Sequence, residues 1–183
     1  MEFLDRKQRL RLAERVVLSL SMVACTVMGQ SVDEYELKAA FLYNFTKFVE
    51  WPSVPNPDAF NICILGDDPF GETLDQLVKG KTAYSRKIRV LRLKEPAEAR
   101  QCPIVFVRDE ESTKAAKLIE AVRGAPVLTV SESRKFLNSG GMVALSMKEG
   151  HVSLGINLHH AESAGLKVSA KLMSLVRNES EEP

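Results

Sequence analysis

The stretch Phe60-Asn-Ile-Cys-Ile-Leu-Gly-Asp-Asp-Pro-Phe-Gly-Glu-Thr73 carries a short, branched apolar run into a turn rich in glycine and aspartate. The run over 60–65 reads as a strand and the residues from about 71 to 79 as a helix, so this is a strand–turn–helix unit. The pattern repeats downstream. Runs at 88–93, 104–107 and 127–130 are short and branched, and helical stretches fall at about 96–99, 113–122 and 134–137. Alternating strands and helices argue for a mostly parallel sheet covered on both faces, a three-layer α/β/α sandwich. Residues 142–147 and 152–158 flank Glu149 and Gly150, which predicts a hairpin or a closing antiparallel edge near the C-terminus.

Upstream of this unit, Pro52 to Pro57 are turn-rich, and before them a helix is expected from about Val32 to Trp51. Ser31 or Asp33 would cap it and Pro52 would stop it. Leu37, Phe41, Phe45 and Val49 recur at four-residue steps, joined by Phe48, and make its core stripe. Tyr35, Leu42 and Tyr43 fall off that stripe. The excess fits a helix buried between the sheet and another element, or an aromatic surface kept for a partner. At the other end, a long helix is expected over about 161–176 with Leu166, Ala170 and Met173 on one face. An acidic tail that should fray occupies 178–183.

The first fifteen residues carry Arg6, Lys7, Arg9, Arg11 and Arg15, and an uncharged run from Val16 to Val27 follows. This is the layout of an export signal over residues 1–30, and the run is shorter than the roughly 20 residues that cross a bilayer. Cleavage after Gly29 would leave one domain over 31–177. Met22-Val-Ala-Cys25 also has the form of a lipobox, which makes Cys25 a candidate for lipidation and would tether the protein. The chain has 183 residues and a net charge of +1; without the first thirty, which hold five basic and three acidic residues, the charge is −1. That balance gives no electrostatic case for nucleic acid as a partner.

Cys63 and Cys102 are the only cysteines beyond the signal, an even count in a compartment where thiols oxidise, so a disulfide is expected. Two buried free thiols in neighbouring strands are the alternative, and a metal site would have too few ligands.

No catalytic constellation emerges. Gly66 to Thr73 copies the spacing of a phosphate loop, but Glu72 stands where the lysine belongs, and Asp67 with Asp68 would repel a polyphosphate. The turn reads as a structural connection. Gly80-Lys-Thr82 has Asp75 at the first glycine position and follows a helix, so it reads as chance. His159 and His160 read as a surface pair, and His151 is the only other histidine. Nucleophile elbow, zinc helix and dinucleotide fingerprint are all missing from the sequence. The expectation is a protein that is not an enzyme and needs no cofactor or metal.

Tyr35-Glu-Leu-Lys-Ala-Ala-Phe-Leu-Tyr-Asn-Phe-Thr-Lys-Phe-Val-Glu-Trp-Pro52 resembles the opening signature of the YfiR family. Phe60 to Gly66, Cys102 to Val107, Pro126 to Val130, Gly140 to Val143 and Gly155 to Asn157 are similar to its later blocks, in the same order. The resemblance implies a disulfide between Cys63 and Cys102. The second cysteine pair of some members is absent here, so redox control through it does not carry over. It further implies a periplasmic repressor that binds the periplasmic sensor region of an inner-membrane diguanylate cyclase, with an outer-membrane protein able to sequester it. Tyr43, Phe48 and Trp51 are candidates for the partner surface, because aromatic side chains suit interface hot spots. A second reading is a small-molecule binding module serving a membrane receptor or histidine kinase, with its ligand at the carboxyl edge of the sheet.

Overall fold

A computed structural model describes residues 33–148 and 151–178. The expected export signal over 1–30 with Cys25, the turn residues Glu149 and Gly150, and positions 179–183 of the expected tail lie outside the described residues. In chain order the elements are α1 (Glu34–Phe48), β1 (Val49–Glu50), β2 (Ala59–Leu65), α2 (Glu72–Val78), β3 (Thr82–Ala83), β4 (Arg86–Leu93) and β5 (Ile104–Val107). There follow α3 (Ser112–Ala121), β6 (Leu128–Ser131), α4 (Arg134–Asn138), β7 (Val143–Lys148), β8 (His151–Ile156), α5 (Leu158–Ser163), β9 (Lys167–Val168) and α6 (Ala170–Asn178). Short 3-10 turns occupy Pro96–Gln101 and Asp109–Glu111.

Seven strands form one sheet in the order β3-β4-β2-β5-β6-β7-β8. The inner run from β4 to β7 is parallel, and β3 and β8 close its two edges antiparallel. The sandwich follows from the period-2 geometry of the central strands, whose side chains are buried on both faces. Phe60, Ile62 and Ile64 of β2 join Ile104 and Phe106 of β5 in a core with α1 and α2. Cys63, Leu65, Val105 and Val107 point the other way, into a second core with Ala115 and Leu118 of α3 and Phe136 of α4.

Three expectations are corrected, and one hairpin is added. α1 is capped by Asp33, whose carboxylate accepts the Tyr35 N–H at 3.0 Å, but it ends at Phe48 rather than Trp51. The branched Val49 turns extended there and pairs with Val168, so β1 and β9 make a two-stranded ribbon. Nor is the core stripe the one anticipated. Lys38, Ala39, Leu42, Phe45 and Thr46 are buried, whereas Leu37 and Phe41 are only half-buried. The inward face contains a lysine, so a reading that treats Lys as solvent-facing rotates the helix by about one residue.

The expected C-terminal helix is broken into α5, β9 and α6. Gly165 (φ +78°) ends α5: its N–H donates to Glu162 O at 2.9 Å, and the Leu166 N–H donates to Ala161 O at 3.0 Å. This is a Schellman ending, with Leu166 buried beneath it. Ser169 then caps α6 through the Leu172 N–H (3.2 Å), and Leu172 rather than Ala170 faces the core. Finally, the β3–β4 hairpin has no glycine at its turn and was not anticipated; Tyr84 and Ser85 take φ values of 53° and 61° there.

Candidate partner-binding site

The end of α1 and the β3–β4 turn assemble the aromatic residues of this end of the domain. Trp51 is 6 % exposed; its indole N–H donates to Pro103 O at 3.1 Å and its ring meets Phe60 edge-on at 5.2 Å. Trp51 therefore belongs to the core, and its burial removes it from the surface for which it was a candidate. Tyr84 covers it. The Tyr84 ring stacks on Phe60 at 5.9 Å, and its hydroxyl accepts the Trp51 N–H (3.1 Å) and donates to Val49 O (3.3 Å). These contacts over-determine a backbone in which two consecutive non-glycine residues hold positive φ, at a cost of roughly 1–2 kcal/mol each. Tyr84 remains 42 % exposed.

Tyr43 and Phe48 are half-buried. The Tyr43 ring has the ammonium groups of Lys47 and Lys81 each 4.2 Å from its centroid, and the Phe48 ring has that of Lys171 at 5.5 Å. Tyr43 and Phe48 thus present aromatic area next to positive charge. Rigid rings beside cations are the composition of an interface hot spot. Sequence reasoning missed Tyr84, because Tyr-Ser is not a turn dipeptide and nothing around it flags positive φ.

Across the other core, Cys63 on β2 and Cys102 just before β5 form a disulfide with Cα atoms 6.0 Å apart, both side chains fully buried. In a comparison with known families, a family model described as YfiR/HmsC-like matches residues 35–177. The chain belongs to the YfiR/HmsC-like family.

In this YfiR/HmsC-like domain the carboxyl edge of the sheet is filled by the chain's own charges. Lys38 is 1 % exposed and its ammonium donates to Glu132 at 2.6 Å and to Glu34. Burial alone would lower its pKa; the hydrogen bonds it donates to Glu132 and Glu34 prevail and hold it above the usual lysine value. Glu132 also accepts the Asp109 N–H (3.3 Å). Burial first, and the nearby Glu132 carboxylate second, push the Tyr35 hydroxyl above its usual range.

The turn that mimics a phosphate loop is occupied as well. Glu111, from the turn after β5, accepts the Asp67 N–H at 3.0 Å, and a Cβ added to Gly66 would lie 2.4 Å from its carboxylate. An internal anion thus stands where a bound phosphate would have to sit. Lys114 chiefly, and the Asp67 N–H next, hold the Glu111 carboxyl below the ordinary glutamate range. Gly66 also has φ +85°, so Gly66→Ala meets both strain and a clash. We expect it to lower stability by at least about 1 kcal/mol in urea unfolding. An unchanged midpoint would contradict the strain expected from the positive φ at Gly66.

The small-molecule reading placed its ligand at this edge, where Lys38, Glu34 and Glu132 pair with one another while Arg108 Nε is buried without a hydrogen-bond partner. A cavity of about 280 Å³ lies instead at the amino-terminal ends of β6 and β7, lined by Ile119, Arg123, Thr129, Met142 and His160. His159 is exposed and its ring stands 5.7 Å from that of His160. No helix among the described residues is long and apolar enough to cross a membrane.

Proposed function

We propose that this protein is a periplasmic repressor that binds the sensor region of an inner-membrane diguanylate cyclase and holds it inactive, keeping cyclic di-GMP low. The observation that carries this reading is the YfiR/HmsC-like match over residues 35–177. The half-buried rings of Tyr43 and Phe48, flanked by Lys47, Lys81 and Lys171, support it as a place for the cyclase to dock. Repression of this kind requires only that the domain bind the inactive cyclase more tightly than the active one. Each tenfold difference in affinity shifts that balance by about 1.4 kcal/mol. No residue has to perform chemistry, so the role is regulatory and non-catalytic. Export by the N-terminal segment would deliver the domain to the periplasm, tethered if Cys25 is lipidated. An outer-membrane protein that competes for the domain would release the cyclase.

Deleting the gene should raise cyclic di-GMP, and the wild-type gene should restore the low level. Complementation with Tyr43→Ala/Phe48→Ala, or with Lys47→Glu at an exposed position, should fail although the protein accumulates in the periplasm. Unchanged cyclic di-GMP on deletion would oppose the repressor reading, and full complementation by both variants would place the docking surface elsewhere.

A further inference from the structure

β4 is the most cationic strand among the described residues and its outer edge is open. Lys79 to Lys94 contains seven basic residues and no acidic one, in a protein whose net charge is +1. β3 pairs with β4 over Arg86 and Lys87 only. Beyond Lys87, no strand among the described residues lies on that side of β4.

The direction of its backbone groups follows from two hydrogen bonds. The Ile88 N–H donates outward to Lys81 O at 3.0 Å, while Leu93 O accepts the Gly66 N–H on the β2 side at 3.0 Å. Because successive residues alternate, Val90 and Arg92 direct their N–H and C=O groups outward, in register with Ile88. Beside this edge runs an open groove of about 690 Å³, floored by Ile88 and Val90 and walled by Glu72, Gln76 and Lys79 of the α2 segment. Arg92 keeps the edge ordered: its guanidinium donates to Asp68 Oδ2 (2.8 Å), Gly71 O (2.8 Å) and the Asp75 carboxylate. That contact also offsets the charge of Asp75. Lys79, Lys87, Arg89 and Lys94 are exposed and make no ion pair among the described residues.

We propose that the outer edge of β4 is a docking site for an extended, acidic segment of another protein, which adds to the sheet as a further strand. The exposed N–H and C=O groups of Val90 and Arg92 supply the ladder, the groove receives every second side chain, and Lys87, Arg89 and Lys94 select negative charge. A second copy of the chain is disfavoured, because β4 against β4 sets like charges opposite each other. A membrane surface would use the charges but leave the directed backbone groups without partners in register. The inference goes beyond the repressor reading and does not depend on which protein supplies the segment.

The test is binding of a labelled peptide of alternating glutamate and valine to the purified protein, with amide exchange followed in parallel. We expect saturable binding that weakens with salt, slowed exchange at Val90 and Arg92, and no binding of a lysine–valine peptide. Val90→Pro removes one outward N–H at a position where an edge strand tolerates proline, and it should weaken binding at least tenfold. Lys87→Glu/Arg89→Glu should do the same through charge, and it carries the test if the proline variant fails to fold. Equal binding by the wild type and the folded variants would overturn the proposal. So would a preference for phosphatidylglycerol vesicles indifferent to Val90→Pro, or a concentration-dependent dimer abolished by Val90→Pro without any peptide binding.

Discussion

Replacing Cys63 and Cys102 together by alanine will lower the stability of the domain by about 4 kcal/mol or more. The bond closes a loop across a sequence separation of 39, and on chain-entropy arguments a crosslink of that span destabilises the unfolded chain by about 4 kcal/mol. Both side chains are fully buried in the core beneath α3, so the alanines also remove packing. Two measurements separate the contributions. Reducing the wild-type protein breaks only the crosslink, whereas the double variant loses crosslink and sulfur atoms together. Urea unfolding should therefore rank oxidised wild type above reduced wild type, and reduced wild type above the variant. If reduction moved the midpoint by less than the equivalent of about 1 kcal/mol, the bond would not constrain the unfolded state as argued.

The second large effect is expected at Lys38. Its ammonium is buried between Glu34 and Glu132 on the inward face of α1, so Lys38→Ala leaves the mostly buried Glu132 without its partner. Breaking a buried pair in this way costs about 3–5 kcal/mol, while removing both charges is far better tolerated. Lys38→Met combined with Glu132→Gln should recover most of the loss. A double variant no more stable than Lys38→Ala would mean that the packing of the lysine stem, not its charge, holds α1.

The pH dependence has a defined sign. A lysine whose folded pKa is raised contributes stability that is complete below its unfolded pKa and is lost as pH rises through the folded value. The gap between wild type and Lys38→Ala should therefore persist at neutral pH and close in strong alkali. Glu111 works in the opposite direction. Its depressed pKa gives stability above the ordinary glutamate range, and that stability fades as pH falls through the lower, folded value.

Strands buried on both faces announce themselves, which is why β2, β5 and β6 and the closing β7–β8 hairpin are legible from apolar runs alone. Where tertiary contacts overrule local preference, the sequence misleads. Lys38 faces the core because two carboxylates meet it there, and no periodicity of apolar residues reports that. Val49 leaves the helix because Val168, more than a hundred positions away, offers it a strand partner. Gly165 was readable as a helix end and was passed over for the apolar spacing around it.

The candidate surface divides in the same manner. Tyr43 stands out as an aromatic residue off the expected stripe, whereas Phe48 was placed on it; both are only half-buried and lie beside lysines. Trp51 looked equivalent but is satisfied internally by Pro103 O and Phe60. Tyr84 is invisible beforehand, because its importance comes from a strained turn that only its contacts with Trp51, Val49 and Phe60 explain.

The repressor reading is tested most directly by capture on the purified, immobilised protein of partners solubilised from envelope membranes, followed by assay of cyclic di-GMP synthesis from GTP as free protein is added. The account predicts recovery of a membrane diguanylate cyclase whose synthesis falls as the domain saturates it. Capture of no cyclase, or of one whose rate is unaffected at saturation, would contradict it.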